Sequence, residues 1–286
     1  MGKLETIRSV VQFAPVETDR VAARLSRAAN VDDLRRMAKR RLPGGVFDYI
    51  DGGAEDEVTL GANSQAFREV EWVPRVLRDV GSIDTSSSLL GRTHPLPLIL
   101  APTGFTRIAD SQGELAVARA ADRAGLTYCL STLGTRSIEE VAEAADGPKW
   151  FQVYVWRDRG LVEELLARTK EAGYEAIVIT VDLAVLGRRE RDVRRGFTLP
   201  PKIGLGTLID GAVHPAWTWD FVNSEPITFA SVVGKTVSDG STAVSLAEHV
   251  GTLFDQGLDW GDIEWFRANW DGPIIIKGIQ SVADAR

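Results

Sequence analysis

Histidine, methionine and cysteine are scarce in this 286-residue chain, at three, two and one copies. A lone Cys129 has no partner for an internal disulfide, and a chain of this length buries a core that needs neither disulfide nor metal staple. Cys129 sits in an apolar run and reads as core in preference to a nucleophile, which fits a reducing cytoplasm. Long apolar runs are also missing. None approaches the ~20 residues of a membrane helix, and the N-terminus lacks a signal-peptide core. The expectation is a cytoplasmic protein, with peripheral contact at the inner face of a membrane left open. Positive charge is in deficit: the net charge of −7 argues against nucleic-acid binding. The first 45 residues run the other way, with ten Lys or Arg against five Asp or Glu. They read as a solvated basic arm or as a contact with an anionic membrane surface.

What is present reads as α/β. Residues 1–29 form an arm of little periodicity. Asn30 caps a helix to about Leu42, stopped by Pro43-Gly44-Gly45, and a short helix follows in which Phe47 and Ile50 face inward and Tyr49 faces elsewhere. From Leu96, strand–helix units recur roughly every 25 residues: short strands at 98–101, 127–130, 150–155 and 176–181, each followed by a helix-like pattern. Ser137 and Glu140 form a capping box, and Asp158 caps a helix with Leu161, Val162, Leu165 and Leu166 at helical spacing. Residues 186–257 then break the rhythm and read as a lid or as a partly disordered stretch. Its Trp217, Trp219 and Phe221 suit a membrane dip, a cover over a site, or packing on a rim. A helix from about Trp260 to Asn269 leads to a fifth strand at 274–276, ending in Lys277, and Ser281 caps what should be the next helix. The pattern predicts a parallel sheet with right-handed crossovers, closed as a (β/α)8 TIM barrel of which about five of eight strands are present; an open doubly wound sheet is second. No glycine-rich phosphate fingerprint follows the first strand, against a Rossmann domain.

In such a sheet the strand ends share one rim. They carry Thr103 and Gly104, Ser131, Gln152 and Tyr154, Thr180 and Asp182, then Lys277. Hydroxyls, an amide, a phenol and an ammonium together suit a flat heteroaromatic ligand with several carbonyls and ring nitrogens, such as a flavin.

The segments FDYIDGGAEDEVTL (47–60), LILAPTGFTR (98–107), LSTLGT (130–135), WFQVYVWRDR (150–159), ITVDLAVLGRRERDVRRGF (179–197), LPP (199–201) and IIIKGIQSVADAR (274–286) resemble the FMN-dependent 2-hydroxy-acid oxidases and dehydrogenases, of glycolate oxidase and L-lactate dehydrogenase type. The resemblance implies a TIM barrel over residues 30–286, with a long insertion at about 187–257, and FMN as cofactor. It implies that Pro102, Thr103, Gly104, Ser131, Gln152, Thr180 and Lys277 hold the flavin. Tyr49, Tyr154 and Arg189 would meet the substrate, Tyr154 steadying the developing alkoxide, and Asp182 would orient a histidine base. Leu133 stands where some members carry an aromatic side chain that limits substrate size. The implied reaction is oxidation of an L-2-hydroxy acid, L-lactate first, to the 2-oxo acid, with electrons passed to oxygen, a quinone or a cytochrome.

The chain departs from that pattern in one respect. The family's S-N-H-G-G motif with the base histidine, and its phosphate-binding loops, have no counterpart among these residues. His94 and His214 each precede a proline, and His249 lies in the insertion. Two readings follow: the N-terminal part of such an enzyme, or a noncatalytic remnant acting as an interaction protein. An exposed fifth strand further predicts oligomerisation. No metal site is expected.

Overall fold

The computed structural model describes residues 18–185, 187–197, 204–232 and 254–286. Most of the basic arm, the Leu-Pro-Pro at 199–201 and His249 lie outside the described residues. Four helices lead in. They are α1 (Arg20–Leu25), α2 (Val31–Arg41), α3 (Gly44–Asp51) and α4 (Val58–Arg68). Helix α1 is a short helical turn within the stretch of little periodicity: Asp19 caps it through its side chain. Asn30 caps α2 as its sequence implies, with Asp32 and Asp33 in the first turn and Lys39, Arg40 and Arg41 in the last, each matching the helix dipole. Leu42 ends α2, but α3 begins only two residues on. Its inward face is Val46 and Phe47, while Ile50, expected inside, is exposed. The reason is that α3 is wedged between two partners: Val46 and Phe47 pack with Leu42 and Ile108, and the Tyr49 side meets Phe105 and Phe197.

A hairpin that the sequence pattern does not announce follows: β1 (Ser87–Leu89) pairs antiparallel with β2 (Arg92–His94). Its two-residue turn, Leu90 at φ 51 and Gly91 at φ 81, has the left-handed geometry that suits tight hairpins. His94 therefore sits buried on a strand, not in a loop.

The sheet that matters has five strands: β3 (Ile99–Leu100), β4 (Thr127–Ser131), β5 (Lys149–Tyr154), β6 (Ala176–Thr180) and β7 (Ile274–Lys277), hydrogen-bonded in chain order and all parallel. Between them run α5 (Glu114–Arg123), α6 (Ile138–Ala144) and α7 (Arg159–Glu171), with α11 (Gly261–Asn269) before β7. Gly125 and Gly173, at φ 67 and 76, stop α5 and α7 in the left-handed position that glycine tolerates best. The capping box at Ser137 and the Asp158 cap form as read. Side chains alternate across the strands. Tyr128, Leu130, Phe151, Val153, Ile177 and Ile179 face the helices and meet Leu161, Val162, Leu165 and Leu166 of α7. Cys129, Trp150, Ala176 and Val178, with Ile99 and Ile275, form the layer on the other, concave face. Burial there pushes the Cys129 thiol up to about 12, so it stays an inert core group. The first strand is shorter than expected and only half-buried, because β3 is an edge with one neighbour; β7 is the other.

The described parts of the insertion hold more helix than their sequence suggests. They contain α8 (Glu190–Arg195), α9 (Leu205–Val213) and α10 (Pro215–Val222). The last two are fastened to the segment between β3 and α5 and to α3: Trp217 donates its indole N–H to the Ile108 carbonyl at 2.8 Å, Asp220 accepts from Ser111, and Asp210 accepts from the Gly44 N–H. Of the three aromatic residues, Trp217 packs inward and stacks on Phe221, while Trp219 is exposed. Past β7, Ser281 caps a turn, accepting from the Asp284 N–H, where a helix was expected. Among the described residues, no helix is long and apolar enough to cross a membrane.

Candidate active site

The parallel register decides which groups meet. Ser131 is level with Gln152, Tyr154 with Thr180, and Thr180 with Lys277. By alternation these side chains share the concave face with the Cys129–Trp150–Val178 layer. The deepest three form one chain. Ser131 Oγ donates to Gln152 Oε1 at 3.0 Å, and Gln152 Nε2 donates to Thr180 Oγ1 at 2.9 Å. All three are buried. After those bonds, one amide hydrogen of Gln152 and the hydroxyl hydrogen of Thr180 remain as donors.

Above this chain stand the charges. Lys277 Nζ lies 3.6 Å from Asp182 Oδ2, both partly exposed. Gly278, at φ 113, lets the chain turn directly against Asp182. Tyr154 leans on Phe254, ring centroids 4.9 Å apart. Its phenol is pushed up to about 12, first by burial and then by the negative charge of Asp182 and the neighbouring Tyr49. Burial raises the Tyr49 phenol too, with the Arg189 guanidinium pulling the other way. Both phenols are therefore donors across the ordinary pH range.

Tyr49 and Arg189 come from outside the sheet. Arg189 lies 5.1 Å from the Tyr49 ring centroid, donates to the Tyr49 carbonyl, and is paired with Asp192 Oδ2 at 2.9 Å. On the far side of the rim, Pro102, Thr103 and Gly104 form the turn after β3. Thr103 is exposed, and Gly104 backs onto Leu133, whose Cβ would lie 3.1 Å from any Cβ placed there. The structure thus groups Ser131, Gln152, Tyr154, Thr180, Asp182 and Lys277 closely. It joins Tyr49 to Arg189, and sets Pro102–Gly104 beside Leu133. Sequence reasoning missed Phe254, whose only signal was an aromatic residue near the end of an irregular stretch. Of the described histidines neither reaches this rim: His94 packs beneath the sheet with the hairpin, and His214 joins α9 to α10, its Nδ1 2.7 Å from the Asp210 carbonyl.

A model of the FMN-dependent dehydrogenases matches residues 38–286. The chain belongs to that family. It is 41% identical over 285 residues to a Mycobacterium tuberculosis protein provisionally named L-lactate dehydrogenase, covering 99% of this chain and 67% of the relative. The L-lactate dehydrogenase of Caulobacter sp. strain K31 is 38% identical over 259 residues, covering 90% of this chain and 68% of that one. Among solved structures, the monotopic membrane protein (S)-mandelate dehydrogenase superposes with a TM-score of 0.86 at 35% identity, covering 91% of this chain and 68% of that one. A mandelate oxidase follows at 0.72 and 37%, with 91% and 65% covered. The chain thus spans about two thirds of the length of these relatives. The five-stranded arc is accordingly part of a TIM barrel, and its rim is the C-terminal face where such barrels keep their chemistry.

The rim also fits the cofactor of this family. FMN presents carbonyls and ring nitrogens along one edge. The free donors of Gln152 and Thr180, together with the Lys277 ammonium, match those acceptors, and the Ile99, Val178 and Ile275 layer beneath is apolar. Residues Ser131, Gln152, Thr180 and Lys277 would hold the ring, with Pro102–Gly104 along its flank.

Proposed function

We propose that this chain forms the flavin-ring and substrate-hydroxyl side of an FMN-dependent 2-hydroxy-acid dehydrogenase, with an L-lactate-like acid as substrate. The observation that carries the proposal is the Ser131–Gln152–Thr180 chain, level with Lys277 and next to Tyr154 and Asp182. Bound FMN supplies the two-electron acceptor. The residues do the rest. Lys277 would bring a positive charge to the group held by the Gln152 chain, where it would stabilise added negative charge. Arg189, through the guanidinium donors left after its bonds to Asp192 and the Tyr49 carbonyl, and the Tyr49 hydroxyl receive the substrate carboxylate. Tyr154, still protonated, donates to the substrate hydroxyl oxygen. Asp182 is placed to orient the base that removes the hydroxyl proton and to stabilise its cation. No imidazole among the described residues fills that role, and loss of a general base slows such steps by ~10²–10⁴. With neither described histidine at the rim, this chain should bind better than it turns over. Oxygen, a quinone or a cytochrome remains the class of final acceptor.

The test is an FMN titration of the purified 286-residue chain, followed by L-lactate or oxalate under anaerobic conditions. Quenched flavin fluorescence and an anion-induced shift of the flavin band are expected, with bleaching at least ~10²-fold slower than in a full-length relative. Absence of any flavin binding overturns the site; rapid bleaching overturns the inactivity.

A second reading concerns location. Leu205, Leu208 and Ile209 on α9, and Trp219 and Val222 on α10, remain exposed although both helices are anchored by polar bonds. A patch of this kind marks an interaction surface, and a monotopic membrane protein is among the structural relatives. We infer peripheral contact with a lipid surface through this face. Co-sedimentation with phosphatidylglycerol vesicles should fall several-fold in the Leu208→Asp, Ile209→Asp double variant; a wild-type chain that stays in the supernatant refutes it.

A further inference from the structure

Every rim group on a strand is placed by the parallel register. Tyr49 and Arg189 are not, because one lies on α3, ahead of the barrel, and the other at the start of α8. Something else has to hold them over the rim. The residues between 187 and 197 run along α3 and the turn that follows it, held by the Tyr49–Phe197 ring contact and by a set of ion pairs. Arg191 Nη1 donates to Asp51 Oδ2 at 2.9 Å and lies 3.8 Å from Asp48 Oδ1, while its Nη2 donates to Glu57 Oε2. Arg195 Nε donates to Asp48 Oδ2 at 2.7 Å. Arg35 of α2 grips Asp51 from the other side, one of its two bonds being 2.8 Å. Glu57 in turn accepts from the Gly53 N–H at 3.0 Å, and the Glu55 N–H donates to the Arg188 carbonyl at 2.8 Å.

Arg191 is the centre of this network. Among the described residues it alone pairs with acids on both sides of the turn at 52–56, Asp51 at the end of α3 and Glu57 just before α4. Its side chain is mostly covered, and Asp51 has only 9% of its side chain exposed, so the charges are weakly screened and count for more than a surface pair. The direction of every shift agrees: Arg191 holds the Glu57 carboxyl below its usual range, and Arg35 followed by Arg191 does the same for Asp51. The backbones also come close. A Cβ on Gly187 would lie 2.6 Å from the Ala54 Cβ.

We propose that Arg191 is the positioning residue of the substrate side of the site: by strapping Asp51 and Glu57 to α8 it holds Tyr49 and Arg189 as one unit. Its guanidinium is taken up by Asp51 and Glu57, and the strap includes no member of the Gln152 chain. The substrate half of the proposal rests on the reading that Tyr49 and Arg189 receive the carboxylate.

The experiment uses the FMN-loaded chain with Arg191→Met and Arg191→Lys variants and two readouts. The first is hydrogen exchange over residues 44–57 and 187–197. The second is the affinity for oxalate, read from the flavin spectrum, beside the affinity for FMN. Arg35 still pairs Asp51 in both variants, which keeps the fold. For Arg191→Met, exchange in both segments should accelerate at least ~5-fold, oxalate affinity should drop ~10-fold, and FMN affinity should stay within ~2-fold, since only the substrate side is released. Arg191→Lys, with one ammonium for two acids, should recover part of both. Unchanged exchange overturns the strap, as does an equal loss of FMN and oxalate affinity, which would mark a merely structural residue. If the wild-type chain shows no oxalate response, the carboxylate reading fails instead, and the exchange measurement still decides the strap.

Discussion

Replacing Gln152 with leucine should remove FMN binding by about two orders of magnitude and destabilise the chain by about 3 kcal/mol. Gln152 is nearly fully buried and serves three partners: it accepts from Ser131 Oγ and more weakly from the Thr132 N–H, and donates to Thr180 Oγ1. Leucine fills a similar volume but satisfies none of them. Each buried polar group left alone costs ~1–3 kcal/mol, reduced here because both hydroxyls can rotate. The ligand loses the free amide donor, and the Thr180 hydroxyl loses the partner that aims it. Ser131→Ala is the comparison: it deletes the bond donated to Gln152 and the one accepted from the Leu133 N–H, leaves Gln152 bonded to Thr180, and should cost about 1–2 kcal/mol and less than ~10-fold in affinity. Urea midpoints and flavin fluorescence titrations read both effects. If Gln152→Leu binds FMN as the parent does, the ring is not held at this chain.

That Gln152, Thr180 and Lys277 meet was legible from the sequence because the periodicity fixed the strands, and strands in a parallel arc carry their ends to one side. Spacing and caps were enough for β4 to β6 and for α6 and α7, whose apolar positions recur strongly. Elements without such recurrence escaped. The β1–β2 hairpin turns on a leucine held at φ 51, a conformation no propensity anticipates. Helix α9 contains two glycines and α10 starts at Pro215, so both look like loop until their tertiary contacts, Asp210 to Gly44 and Trp217 to Ile108, are seen. The same limit applies to the site. Arg189 and Arg191 stand two residues apart, and nothing in that spacing separates them; only contacts some 130 to 140 residues away in the chain show that Arg191 is committed to Asp51 and Glu57. Ionic partners have no period, so sequence spacing cannot assign them.

A methyl group added at Gly278 should cost about 3 kcal/mol and distort the charged pair at the rim. Two separate effects add there. At φ 113 the backbone is in a region that residues with a Cβ avoid, and the new Cβ would lie 2.8 Å from Asp182 Cβ and 3.0 Å from its backbone nitrogen. A flexible side chain could swing away from such a contact; a neighbouring backbone cannot, so the Asp182 turn itself must shift and carry its carboxylate away from Lys277. Gly61→Ala separates this from a general intolerance of glycine replacement. Gly61 lies inside α4 with open space around the position a Cβ would take, so alanine there should stabilise by up to ~1 kcal/mol. Denaturation of the two variants should therefore move in opposite directions. The flavin affinity of Gly61→Ala should match the parent, while that of Gly278→Ala should fall, because the ammonium meant for the ring's carbonyl edge follows Lys277 as the turn moves. Equal urea midpoints for Gly278→Ala and the parent would mean that the chain does not press against Asp182, and that nothing but strand register holds Lys277 in place.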